Sequence, residues 1–143
     1  MGVEVRRMRA TDIRAIVELA ERYFPLARVD EGGVRRRSSR GYVYLVAEIG
    51  GEPAGFVDVR MRKRTAHVCG IAVRPECGGR GIGSALLEEA GRLAGKEGKE
   101  ALTLVVKEGN AGAVEFYGRH GFSVVARKEG RDGRVLLMRK RLE

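Results

Sequence analysis

The 143-residue sequence predicts an α/β (α+β) fold on three observations. β-prone segments dominate the first half, a glycine-rich loop joins an apolar strand to an amphipathic helix near the middle, and two alternating segments linked by a turn close the chain. With no linker, repeat or low-complexity stretch, residues 1–143 are expected to form one domain with a sizeable core.

Val3 to Met8 alternates as a strand does, and Thr11 is placed to N-cap a helix through Arg22 whose apolar face holds Ile13, Ile16, Val17 and Ala20. From Phe24 to Arg40, Pro25, Gly32 and Gly33 interrupt any period, so this stretch reads as irregular or weakly helical and as the mobile, substrate-facing segment. Tyr42 to Ile49 and Ala54 to Arg64 read as strands joined through Gly50-Gly51-Glu52-Pro53, and a third strand follows from Thr65 or Ala66 to Val73, the three running antiparallel.

Pro75 lacks the N–H that a central strand needs, so the third strand ends by there. Ile82, Leu86, Ala90 and Leu93 then recur at helical spacing, predicting a helix from about Gly81 to Ala94. Leu102 to Val106 is an apolar strand. Asn110 is an N-cap for a helix whose face carries Ala113, Phe116, Tyr117 and His120, and Gly121 stops it. Phe122 to Lys128 and Val135 to Lys140, around Gly130-Arg131-Asp132-Gly133, form a closing hairpin whose edge offers strands to a homodimer.

The net charge of +9, from 28 basic and 19 acidic residues, invites a nucleic-acid reading. The basic residues are scattered, however, through Arg35-Arg36-Arg37, Arg60 to Arg64, Arg127-Lys128 and Arg139-Lys140-Arg141, without interleaved aromatics. A solvated face and attraction to an anionic cofactor explain them, and nucleic acid is not expected as the main partner. No apolar run is long enough to span a membrane and no signal-peptide core is seen, so a cytoplasmic protein with no membrane partner is expected. Cys69 and Cys77 make neither a metal motif nor a disulfide framework; Cys69 reads as a core residue and no metal is expected. The absence of Gln and the single Asn resemble the amide depletion of proteins from hot environments.

The loop after Val73 carries the chemistry. Gly78, Gly79, Gly81 and Gly83 lack Cβ atoms, so backbone N–H groups can converge on one ligand, and the following helix adds its unpaired N–H groups and positive dipole end. Arg80 adds a full charge. A P-loop needs Lys-Ser or Lys-Thr after the last glycine, where this chain has Ser84-Ala85. A dinucleotide fingerprint needs a third glycine at the position of Leu86. Neither reading fits.

Ile71-Ala72-Val73-Arg74-Pro75-Glu76 leading into Gly79-Arg80-Gly81-Ile82-Gly83-Ser84-Ala85-Leu86-Leu87, then Asn110, Ala113, Phe116-Tyr117 and Gly121-Phe122 in that order, resembles the GNAT superfamily of acyl-CoA-dependent N-acetyltransferases over nearly the whole chain. The resemblance implies the GNAT fold: a central mixed, mostly antiparallel sheet of six to seven strands, splayed in the middle, with about four helices. It implies acetyl-CoA as the cofactor, with the backbone at Ile71, Ala72 and Val73 pairing with the pantetheine arm and the N–H groups across Gly79, Arg80, Gly81, Ile82, Gly83 and Ser84 cradling the pyrophosphate. Asn110 is then expected near the pantetheine and Tyr117 near the thioester sulfur. Two departures stand out. Gly78 occupies a position where the family carries Gln or Arg, and Val105 one where the branch that acetylates protein N-termini carries Glu.

Acetyl transfer needs a neutral amine, a stabiliser for the carbonyl oxygen and a proton donor for the leaving thiolate. Tyr117 is the candidate acid and a backbone N–H at Ile71 or Val73 the candidate oxyanion donor. Two-residue alternation places His67, Cys69, Ile71 and Val73 on one strand face, and His67 stands where histone-type members carry a catalytic Glu. With an ordinary pKa near ~6.5, His67 is the candidate base, a water chain being the alternative. His120, beside Gly121, reads as a helix C-terminal residue favoured by the dipole. The expected function is direct transfer of acetyl from acetyl-CoA to a primary amine on a small molecule or a protein. The second reading is a CoA-binding regulatory or nucleic-acid-associated module without turnover, for which Gly78 and Val105 are the sequence support.

Overall fold

Seven strands form one sheet in the order β1-β2-β3-β4-β5-β7-β6. They are β1 (Glu4–Arg7), β2 (Tyr42–Ile49), β3 (Glu52–Met61), β4 (Thr65–Val73), β5 (Ala101–Lys107), β6 (Ser123–Gly130) and β7 (Gly133–Arg141), in a computed structural model that describes residues 2–143. Every neighbouring pair is antiparallel except β4 and β5. Helices α1 (Ile13–Tyr23) and α2 (Glu31–Ser38) cover one face, and α3 (Ile82–Lys96) and α4 (Ala111–Arg119) pack on the other.

Two apolar layers result. On the α3 side, Leu45, Val57, Val59, Val68, Leu86 and Leu102 pack together; on the α1 side, Ile13, Ile16, Val34, Tyr44, Phe56 and Ala72 do so. The alternation of β3 divides its residues between the two layers: Val57 and Val59 face α3, while Phe56 and Asp58 face α1 and α2.

Several boundaries differ from the sequence reading. Thr11 is not the helix cap: it lies in a short 3-10 turn, Ala10–Asp12, and α1 begins at Ile13. Asp12 organises the start instead, accepting the Arg9 backbone N–H at 2.7 Å while Arg6 donates two hydrogen bonds to its carboxylate. An aspartate fixed by a guanidinium is a better acceptor for that N–H than a neighbouring hydroxyl. The stretch Phe24 to Arg40 contains more helix than its glycines suggest. Asp30 Oδ1 accepts the Gly33 N–H at 2.7 Å and Val34 is fully buried, and this cap and anchor offset the low helix propensity of Gly32-Gly33 in α2.

The first hairpin turn is only Gly50-Gly51, both at positive φ, and β3 already begins at Glu52. Pro53 is tolerated in the strand because it faces Glu48 next to a bulge in β3, where Ala54 is the unpaired extra residue.

Cys69 is the main correction. It is the extra residue of a second bulge, because Asp58 pairs with Gly70 while Val59 pairs with Val68. Far from being a core residue, Cys69 is exposed. The bulge also reverses the alternation of β4. Val68 and Ile71 face α3, whereas His67, Gly70 and Ala72 face α1 and α2, so His67 does not share a face with Ile71.

Candidate active site

The sheet opens between its two parallel strands. β4 pairs with β5 only through Thr65, Ala66 and His67 against Ala101, Leu102 and Thr103. From Val68 to Val73 the backbone groups on that side have no strand partner, which leaves an edge inside the molecule. A cleft of about 470 Å³ occupies the gap, lined among others by Gly70, Ile71, Val105, Asn110, Phe116 and Tyr117.

Each of these side chains is placed by a local device. Asn110 caps α4, its Oδ1 accepting the Ala113 N–H at 3.2 Å, and Gly121, at φ +90° just past the C-cap His120, turns the chain away from the helix. Tyr117 is half-buried in edge contact with Phe116 and Phe122, and burial raises its pKa, so the phenol keeps its proton at neutral pH. Val105, at the position that distinguishes one branch of the resembling family, is 54% exposed on the cleft wall. It supplies no titratable group.

The glycine loop lies at the start of α3. Gly79 and Gly81 have φ +78° and +72°, conformations that a β-carbon disfavours, although the space around both is open. Gly81 is the N-cap without a side-chain cap, and the first intrahelical bond runs from the Ala85 N–H to the Gly81 carbonyl. The N–H groups of Ile82, Gly83 and Ser84 therefore lack intrahelical acceptors, which suits an anion. Phe116 packs over Gly83, where a β-carbon would lie 3.4 Å from its ring, and Ser84 Oγ hydrogen-bonds His120 Nε2 at 2.9 Å. His120 is thus a brace between the end of α4 and the start of α3. Arg80 is exposed beside the loop.

His67 is not among the residues lining the cleft. Its Nδ1 is hydrogen-bonded to Thr103 Oγ1 at 2.8 Å, and burial together with Arg62 and Arg60 lowers its pKa. The structure brings Ile71, Asn110 and Tyr117 together and leaves His67 on the other face of β4.

A different titratable group comes close to the cleft. A second cavity of about 150 Å³ lies on the α1/α2 side, lined by Phe24, Arg37, Tyr44, Phe56 and Asp58. It meets the cleft at Phe24, Cys69 and Gly70, which line both. Asp58 is buried, and burial pushes its pKa up to about 6 against the opposing charge of Arg37 and the N–H groups of Asp58 and Gly70. Arg37 Nη2 donates to Asp58 Oδ2 at 2.8 Å. The absence of a side chain at Gly70 keeps the passage open, since a β-carbon there would lie 3.1 Å from Asp58 Oδ1 and 3.4 Å from the Phe24 ring. The sequence reading missed Asp58, although it is the one carboxylate in the otherwise apolar run Ala54 to Val59.

A splayed sheet, an anion cradle at a helix start and a cleft carrying Asn110 and Tyr117 make a site of the shape that suits a phosphate-bearing donor of the acyl-CoA class. Comparison with known proteins agrees: residues 13–122 match the model of the acetyltransferase (GNAT) family, and the chain belongs to that family. An uncharacterised N-acetyltransferase of Methanocaldococcus jannaschii is 38% identical over 86 residues, covering 55% of this chain but only 38% of that protein's length. A spermidine N(1)-acetyltransferase of Thermoplasma acidophilum is 25% identical over 165 residues, 100% of this chain and 99% of its own. Among solved structures, the PaiA N-acetyltransferase of Thermoplasma acidophilum, in complex with coenzyme A, superposes with a TM-score of 0.80 at 21% identity, covering 99% of each chain.

Proposed function

We propose that the protein transfers the acetyl group of acetyl-CoA directly to a primary amine. In this reading Asp58 takes the proton of the amine and Tyr117 gives one to the departing thiolate. The observation that carries it is the meeting of cleft and cavity at Cys69-Gly70, which puts a buried carboxylate and a protonated phenol on opposite sides of one passage.

The residues fit the donor. Acetyl-CoA supplies a thioester on a pantetheine arm attached to a pyrophosphate. The unpaired edge of β4 at Ile71, Ala72 and Val73 can hold the arm by backbone hydrogen bonds, and the N–H groups of Ile82, Gly83 and Ser84, with Arg80 nearby, can hold the phosphates. Gly79 and Gly81 give the loop its shape, and Asn110 lines the cleft beside Ala113.

The proton movements match the local electrostatics. Ionised above about pH 6, Asp58 is a stronger acceptor than an ordinary aspartate and is still mostly charged at neutral pH. Phe24, Tyr44 and Phe56 exclude water around it and present apolar surface to the carbon next to the amine. Val105 offers no carboxylate on the β5 wall of the cleft, which supports a base on β3.

Thiol release from acetyl-CoA against a panel of peptides, amino acids and polyamines tests the reading. Acceleration by at least one amine, with the acetyl group recovered on nitrogen, supports it. Tight binding of acetyl-CoA with no acceleration by any amine points instead to a CoA-binding module.

A further inference from the structure

Next to the acceptor cavity lies a groove of about 460 Å³ lined by Gly33, Arg36, Arg37, Arg40, Tyr42 and Arg60. Arg37 belongs to both walls. Strand register explains the placement: Tyr44 pairs with Asp58 and Tyr42 with Arg60, so the Tyr42–Arg60 row lies one step along the same sheet face, about 7 Å from the Asp58 row.

Two guanidinium groups converge on one ring in this groove. Arg37 lies 4.3 Å and Arg60 5.6 Å from the Tyr42 centroid. Arg37 has Asp58 as its counter-ion, but its Nε is buried without a hydrogen-bond partner, and Arg36, Arg40 and Arg60 make no salt bridge among the described residues. Like charges held together by an aromatic face repel unless an anion joins them. The same positive field, from Arg62 and Arg60, helps burial to hold His67 neutral on the adjoining strand.

We infer that the acceptor amine carries an anionic group, a carboxylate or phosphate, which sits among Arg36, Arg40 and Arg60 while its nitrogen reaches Asp58. This rests on the acetyl-transfer reading with the Asp58 cavity as the acceptor side. A polycation meets a field of its own sign here, and an uncharged amine finds no counterpart for the groove.

The test compares acceptors with the same reacting amine: short peptides that continue with glutamate, glutamine or lysine after the N-terminal residue, the amino dicarboxylate glutamate, and spermidine. The acidic peptide is expected to show kcat/KM about tenfold or more above its glutamine counterpart, with the lysine peptide poorest. Arg40→Ala and Arg60→Ala, both at exposed positions, are each expected to raise KM for the acidic peptide about five- to tenfold. The Kd for acetyl-CoA, which also reports folding, stays unchanged. Comparable turnover of free glutamate shows that the anion need not be part of a peptide. Turnover of spermidine or of the lysine peptide with equal or better kcat/KM overturns the inference while leaving acetyl transfer intact. No turnover with any acceptor overturns both.

Discussion

Asp58 and Gly70 face each other across β3 and β4 at the point where the Cys69 bulge ends, so the carboxylate lies against a glycine that lines both cleft and cavity. A buried acid in a mostly apolar cavity is costly to ionise, and that cost is what raises its pKa to about 6.

The first consequence is a pH profile. Because the pKa is raised, Asp58 is protonated below about pH 6 and ionised above it, so kcat/KM should climb through about pH 6. Asp58→Asn should lower kcat about a hundredfold or more and remove that limb. His67→Ala should leave the limb in place, since His67 is bound to Thr103 and lines neither the cleft nor the Asp58 cavity. A limb that survives Asp58→Asn and disappears in His67→Ala would return the base role to His67.

Tyr117→Phe keeps the ring that packs against Phe116 and Phe122 and removes only the hydroxyl. kcat is expected to fall about a hundredfold with little change in acetyl-CoA affinity measured by calorimetry. An unchanged kcat would take Tyr117 out of the proton path.

Cys69 is exposed at the junction, and burial of its sulfur environment together with Asp58 raises the thiol pKa. A maleimide should therefore label it slowly at pH 7 and faster as pH rises, because the thiolate reacts. In a Cys77→Ser background, labelling is expected to abolish turnover, and saturating acetyl-CoA to protect against it. Loss of activity without protection would mean that the label acts away from the cleft.

Arg6 joins Asp12 at 2.7 Å and Glu48 at 2.9 Å, tying the start of α1 to the β1–β2 edge. Burial raises the Asp12 pKa, but the hydrogen bonds from Arg6 and Arg9 outweigh it, and the net shift is downward. A lowered carboxylate pKa contributes stability that is present above about pH 4 and is lost as pH falls through the folded-state value. Arg6→Ala leaves Asp12 buried without its counter-ion and should cost about 3 kcal/mol in urea unfolding at pH 7. The deficit should shrink in acid, where Asp12 is neutral. A deficit that is constant with pH would show that lost packing, not charge, is responsible.

The order of elements, the family and the backbone shape of the glycine loop were legible in the sequence because each depends on neighbours in the chain. Pro75 opens a short 3-10 turn two residues after β4 ends, Gly79 and Gly81 permit positive φ, and Asn110 caps a helix that starts just after it. Tyr117 follows from the same helix by spacing. The cavity beside Asp58 was not legible. Strict alternation put His67 beside Ile71, and one bulged residue, Cys69, reversed that parity through pairing with β3. Asp58 reads locally as a stray charge in an apolar strand; its depth, its raised pKa and its bond to Arg37, 21 positions away, exist only once α2 closes over the sheet. Backbone conformation is encoded over a few residues. Burial and charge coupling are properties of segments brought together from far apart, so only the folded chain decided which carboxylate lies in the cavity that joins the cleft.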